Sequence, residues 1–182
     1  IYNWRELRIE LIDCGHKFRS TSDSEVLAHG YEQWGDALIA RLRGMFAVAI
    51  WDQRHRRLLL ARDRTGEKPL FFLTKSGQLR FASSVLALFA YDEMSRPLDP
   101  DGIACCLAHS FIPATHTAWE GISVLPPAHY AVLEEGTNLS LVSYWRFPDV
   151  PPRAISVSSA EREVEATLDD SVRRCMDADV PV

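Results

Sequence analysis

Apolar positions in the first forty residues recur at steps of three and four. Trp4, Leu7, Leu11 and Cys14 share a face, so the spacing predicts a helix over 3–14, with Gly15 where a C-terminal cap belongs. A second helix is predicted over 24–34. Leu27, Tyr31 and Trp34 line it, Gly35 ends it, and Ser22-Asp23-Ser24-Glu25 fits the S-x-x-E capping box. A shorter helix is expected over 37–42. The period then changes. Residues 45–51 form an unbroken apolar run, which predicts a strand covered on both faces. Residues 53–56 read as a polar turn and 57–61 as a second strand, together an antiparallel hairpin. A turn at 65–69 leads to a strand over 70–73, and Ser76-Gly77 turns into another over 79–82. A short helix carrying Val85, Leu88 and Phe89 follows, then a helix over 100–108 with Pro100 in its first turn.

The last third repeats both patterns. Strands over 129–133 and 139–145 form a hairpin around Glu135-Gly136. Three prolines within 148–152 mark a linker. Residues 158–176 predict a strong helix, opened by a capping box at Ser158 and Glu161 and striped by Val164, Leu168, Val172 and Cys175. Its acidic residues stand near the start, and Arg173 and Arg174 near the end, as the helix dipole favours. Residues 180–182 read as the start of a strand. Helices first, apolar strands next, then more helix: the pattern gives an α+β fold in layers, with antiparallel sheets shielded by helices.

Composition adds limits. The chain has 182 residues, 47% hydrophobic and 25% charged, which suits a folded domain and not a disordered one. Its net charge of −5 argues against nucleic acid or an anionic membrane as partner. No stretch is long and apolar enough for a transmembrane span. The four cysteines (Cys14, Cys105, Cys106, Cys175) show no CxxC pair, and the six histidines show no HxxxH or HExxH spacing. No metal site is therefore expected, and the cysteines read as reduced core thiols of a cytoplasmic protein. The chain starts at Ile1 without Met and reads as an interior fragment.

Three places could carry chemistry. Cys105 and His109 stand four apart on one predicted helix and could form a thiolate pair. With no oxyanion donors in view, core packing is favoured there. The charged run from Arg62 to Lys68 reads as a solvated turn without phosphate-loop glycines. Asp23, at a helix start after a polar loop, has two readings. One is capping, which the local tetrad favours. The other is charge-assisted binding of a ligand's ammonium group.

Several strings occur in one order along the chain: Ile1-Tyr2-Asn3 and Glu6-Leu7-Arg8; Ser22-Asp23-Ser24-Glu25-Val26 and Tyr31-Glu32-Gln33-Trp34-Gly35; Gly44-Met45-Phe46-Ala47 with Ile50-Trp51-Asp52; Ala61-Arg62-Asp63-Arg64 with Gly66 and Lys68-Pro69-Leu70. Phe111-Ile112-Pro113-Ala114, Glu120-Gly121, Leu125-Pro126-Pro127 and Tyr144-Trp145 follow. Together they resemble the glutamine-hydrolysing domain of the asparagine synthetase family, a class II glutamine amidotransferase. The resemblance implies a four-layer αββα sandwich of the N-terminal-nucleophile hydrolase type. It also implies hydrolysis of glutamine by an N-terminal Cys whose α-amine is the base, and ammonia delivery to an ATP-dependent domain that amidates aspartate.

The resemblance further implies a division into a class II glutaminase domain over 1–147, a linker over 148–157 and the start of the synthetase domain over 158–182. The family's nucleophilic Cys, its Asn-Gly pair and its carboxylate-binding Arg would all lie upstream, so no catalytic residue is expected in this chain. The isolated chain is expected to be inactive. Asp23 matches the family aspartate that holds the glutamine α-ammonium, which reverses the capping preference. Asp63 and Lys68 match the motif and read as scaffold. Ser84 stands where many members carry Glu. ATP and Mg are expected only in the synthetase domain. The implied partners are glutamine here, aspartate and ATP through the other domain, and a second copy in a homodimer. The other readings are an amidotransferase for a different carboxylate and a non-catalytic relic used for binding or assembly.

Overall fold

The computed structural model describes residues 1–75, 77–90, 97–113 and 115–176. The strand expected over 180–182 therefore lies outside the described residues, as do Ser76 and Ala114. The chain divides into two compact units, Ile1–Gly44 with the segment from Phe147 onward, and Met45–Arg146.

In the first unit α1 (Trp4–Asp13), α2 (Asp23–Trp34) and α3 (Ala37–Arg41) fall within a residue of their expected bounds. Leu7 and Leu11 of α1, Val26 of α2, and Leu38, Ile39 and Leu42 in and just after α3 are all buried. Each such side chain contributes roughly 1.5–3 kcal/mol. Gly30 matters to this packing, because a Cβ there would lie 2.6 Å from Leu38 Cδ1. At the end of α1, Gly15 takes φ +96, and the His16 N–H donates to Leu11 O at 3.0 Å. The left-handed glycine thus turns the chain back as the spacing anticipated. Asn3 is buried; its amide donates to Arg41 O at 3.0 Å and its oxygen accepts from Arg43 N–H at 2.8 Å.

The second unit opens with β1 (Ala47–Asp52) and β2 (Arg57–Arg62), paired antiparallel from Ala47 opposite Arg62 to Asp52 opposite Arg57. Asp52 Oδ1 accepts from the Arg54 and His55 N–H groups and closes the turn between them. Next come β3 (Phe71–Lys75), β4 (Gln78–Ala82), α4 (Val85–Phe89), α5 (Pro100–His109), β5 (Ile122–Val124), β6 (His129–Glu134) and β7 (Ser140–Ser143). One sheet runs β1-β2-β6-β7 and the other β4-β3-β5. They meet at a shared core, where Leu60 and Ala131 of the larger sheet join Leu70 and Leu125, with Phe72 and Leu79 of the smaller sheet packed against them.

Two expectations need correction here. The apolar run over 45–51 is not covered on both faces. Its strand is the outer one of its sheet among the described residues, with Ala49 exposed and Trp51 58% exposed. Hydrophobicity alone does not distinguish an edge strand from a central one. The cysteines are free of disulfides but are not core residues, since Cys14, Cys106 and Cys175 are exposed and Cys105 is half-buried. α5 meets the protein through Gly102, where a Cβ would lie 2.1 Å from Thr117 O, and it leaves Leu107 83% exposed.

Finally α6 (Val157–Cys175) starts one residue early. Its cap is Ser156, whose Oγ accepts from Ser159 N–H at 3.2 Å, and not the Ser158–Glu161 box. None of its residues is buried, and the stripe of Val164, Leu168 and Val172 is exposed. No helix among the described residues is long and apolar enough to cross a membrane.

Candidate functional site

The start of α2 presents Asp23 to solvent. The capping reading fails at this residue. Ser22 is the cap, accepting from Ser24 N–H at 3.2 Å. Glu25 does not reach back to Ser22 N–H as a capping box requires. It accepts instead from the Arg19 and Ser20 N–H groups, both at 2.7 Å, and from the Ser20 hydroxyl at 2.6 Å. These donors, the Ser20 hydroxyl first, lower the Glu25 carboxyl to about 2. The loop before α2 is therefore fastened by its neighbours, and Asp23 is left with its carboxylate 43% exposed.

Asp23 Oδ2 accepts from the α-ammonium of Ile1 at 2.7 Å, and the Ser24 hydroxyl donates to Oδ1 at 3.4 Å. The Ser24 hydroxyl and N–H both favour the charged form of this carboxyl. The carboxylate is thus ionised at neutral pH and placed to hold an α-ammonium group by a charge-assisted hydrogen bond.

Asp63, in the second unit, is the opposite case. It is fully buried. Its carboxylate accepts from the N–H groups of Phe46 (3.2 Å), Thr65 (3.2 Å), Glu67 (2.9 Å) and Lys68 (3.0 Å). Burial alone would raise this carboxyl, but the backbone donors outweigh it and keep it below the ordinary value. Arg62 ties down the same loop from its carbonyl side, donating to Lys68 O at 2.8 Å, Leu125 O at 2.8 Å and Gly66 O at 2.6 Å. Gly66 needs its missing side chain: φ is +75 and a Cβ would lie 2.8 Å from Pro127 Cγ. The run from Arg62 to Lys68 is therefore a turn closed around Asp63, with Thr65, Glu67 and Lys68 exposed to solvent as the sequence predicts. Lys68 joins it through its backbone. Ser84 precedes α4 as its N-cap residue, with no side-chain cap bond.

Cys105 and His109 share α5, but no hydrogen bond joins them among the described residues; His109 instead lies 6.1 Å from the Phe111 ring, centroid to centroid. An apolar cleft of about 610 Å³ in the same unit is lined in part by Phe71, Phe111, Trp119 and Pro127 and holds no cysteine. One grouping was missed by sequence reasoning. The fold brings His16, His29 and Glu32 together, although no HxxxH spacing announces them. The available signal was a His and a Glu three apart on a helix face, with a further His just past a glycine cap.

The family profile described as "Glutamine amidotransferase domain" matches residues 1–145. The chain belongs to this family. This glutamine amidotransferase domain is 34% identical over 184 residues to asparagine synthetase [glutamine-hydrolyzing] 3 of Bacillus subtilis (strain 168), covering all of this chain and 30% of the relative. It is 33% identical over 193 residues to asparagine synthetase [glutamine-hydrolyzing] 2 of the same organism, covering all of this chain and 26% of the relative. The chain thus spans under a third of these relatives' lengths. Among solved structures it matches the glutamine phosphoribosylpyrophosphate (PRPP) amidotransferase from B. subtilis complexed with ADP and GMP. The TM-score is 0.51 at 17% identity, covering 80% of this chain and 27% of the other. That likeness shows the fold: α+β with two stacked antiparallel sheets, of the N-terminal-nucleophile hydrolase type.

Proposed function

We propose that this domain supplies ammonia from glutamine within an asparagine synthetase-like enzyme, and that Asp23 holds the glutamine α-ammonium. The observation that carries the reading is the Asp23 carboxylate, which opens α2, leaves the cap to Ser22 and stays 43% exposed. A carboxylate so placed selects an α-amino acid over a simple amide.

The chemistry follows from the resemblance. A cysteine thiolate from upstream sequence attacks the glutamine carboxamide carbon. The C–N bond breaks, ammonia leaves, and water hydrolyses the thioester to glutamate. The ammonia then amidates an ATP-activated aspartate in a synthetase domain that begins over 158–182, after the linker over 148–157, and uses ATP and Mg. Support for that boundary comes from α6, a 19-residue helix whose apolar stripe no described residue buries. The same reading carries a cytoplasmic location and a homodimer. A second reading, amidation of a different carboxylate, is favoured by Ser84 in place of the family's usual Glu.

The test is to incubate the whole protein with glutamine, ATP, Mg and aspartate. Asparagine formation is the expected result. Glutaminase activity with no asparagine, but amidation of another carboxylate, would favour the second reading. The 182-residue chain alone is expected to release no ammonia above a no-protein blank, since none of its cysteines takes the nucleophile's place.

A further inference from the structure

We propose that His16, His29 and Glu32 form a binding site for a divalent transition-metal ion of the zinc class. The two imidazoles approach through the same ring nitrogen, Nδ1 to Nδ1 at 3.2 Å. Glu32 Oε2 lies 3.9 Å from His16 Nδ1 and 3.8 Å from His29 Nδ1. Zinc with bonds of about 2.0–2.2 Å in a tetrahedral set needs its ligand atoms roughly 3.3 Å apart. The histidine pair already has this spacing. The Glu32 side chain is 62% exposed, so its carboxylate is free to close the remaining distance by rotation.

The outer nitrogens decide what lies between the rings. His16 Nε2 is 3.0 Å from Gln33 Oε1, an acceptor. His29 Nε2 is 3.6 Å from the Glu25 carboxylate. A proton on His16 Nε2 satisfies the Gln33 oxygen and one on His29 Nε2 faces the Glu25 carboxylate, which leaves both Nδ1 lone pairs facing one gap. Two lone pairs at that distance repel unless a cation sits between them. An acceptor behind each ligating histidine is also how metal sites fix their imidazoles.

The frame around the cluster is rigid. Gly15 and the Leu11–His16 hydrogen bond place His16 at the end of α1. His29 and Glu32 stand one turn apart on α2, and the Phe18 ring packs edge-on against His29 at 4.6 Å between centroids. Glu25 is itself anchored by Arg19 and Ser20. Two imidazoles and one carboxylate suit zinc, with cobalt, nickel and copper as competitors and calcium or magnesium disfavoured. The bound ion would clamp the end of α1 to α2, the helix that opens with Asp23.

The experiment is a zinc titration of chelator-stripped whole protein against a chromophoric competitor, beside His16→Gln/His29→Gln. Wild type is expected to take up one zinc more than the double variant and to melt at a higher temperature with zinc. Glu25→Gln should weaken that zinc by about 10–100-fold without abolishing it. Equal zinc uptake by wild type and a folded double variant would overturn the site. Should the variants not fold, imidazole nitrogen NMR of wild type decides. Zinc-induced shifts at Nδ1 of His16 and His29 support the site, and an imidazole–imidazolium proton that persists in saturating zinc overturns it.

Discussion

Asp23 and Asp63 are the same residue type put to opposite uses. Asp63 lies inside its unit, and backbone N–H groups from four residues fill its oxygens. Asp23 opens α2, leaves the capping to Ser22, and keeps its side chain 43% exposed. Both carry a carboxylate at neutral pH, so charge alone does not separate them. The partners do. A carboxylate filled by its own backbone organises a loop, whereas one left open by its neighbours can take a ligand.

The contrast breaks most visibly at Asp63. Asp63→Ala leaves the buried Phe46 N–H and three part-buried N–H groups without their acceptor, at roughly 1 kcal/mol each, a loss of about 4 kcal/mol in all. At about 2–4 °C per kcal/mol the melting temperature should fall by roughly 10 °C, read by differential scanning calorimetry. A small change in melting with a large change in glutamine use would move Asp63 into the site. Ser22→Ala sharpens the other side of the comparison. As the true cap it should cost about 1 kcal/mol, or a few degrees, and glutamine binding should survive. Were Asp23 the cap instead, Ser22→Ala would be silent.

The smallest effect is the acid response of Glu25. Its carboxyl is lowered from 4.5 to about 2, so the contact to Arg19 and Ser20 contributes fully above the unfolded value and is lost as pH falls toward the folded one. In the folded protein the Arg19 and Ser20 amide shifts should therefore titrate with a midpoint near pH 2, far below the ordinary 4.5. Glu25→Gln should remove that change.

Much of this was legible in the chain. The bounds of α1 to α3 followed from apolar spacing and from Gly15 and Gly35, and the β1–β2 hairpin from two apolar runs around a polar turn. β5 was not legible, because three residues are too few to show a period. The exposure of Trp51 and Leu107 was hidden too, since burial depends on tertiary neighbours that hydropathy does not encode. The S-x-x-E pattern misled twice. Glu25 found stronger donors in the preceding loop, and Ser156 capped α6 ahead of Ser158. The assignment of Asp23 to the glutamine ammonium came only through the resemblance, because its local tetrad also spells a cap. The His16–His29 pair, 13 residues apart, depends on how α1 turns back toward α2.

The most direct test is Asp23→Ala in the whole protein, assayed in parallel with glutamine and with ammonia as nitrogen donor. Loss of a charge-assisted bond of about 1.5–3 kcal/mol should raise the KM for glutamine by roughly 10–100-fold. Ammonia-dependent synthesis and the melting temperature should stay as in wild type. Equal loss of both activities, or an unchanged KM for glutamine, would contradict the assignment of Asp23 as the ammonium anchor.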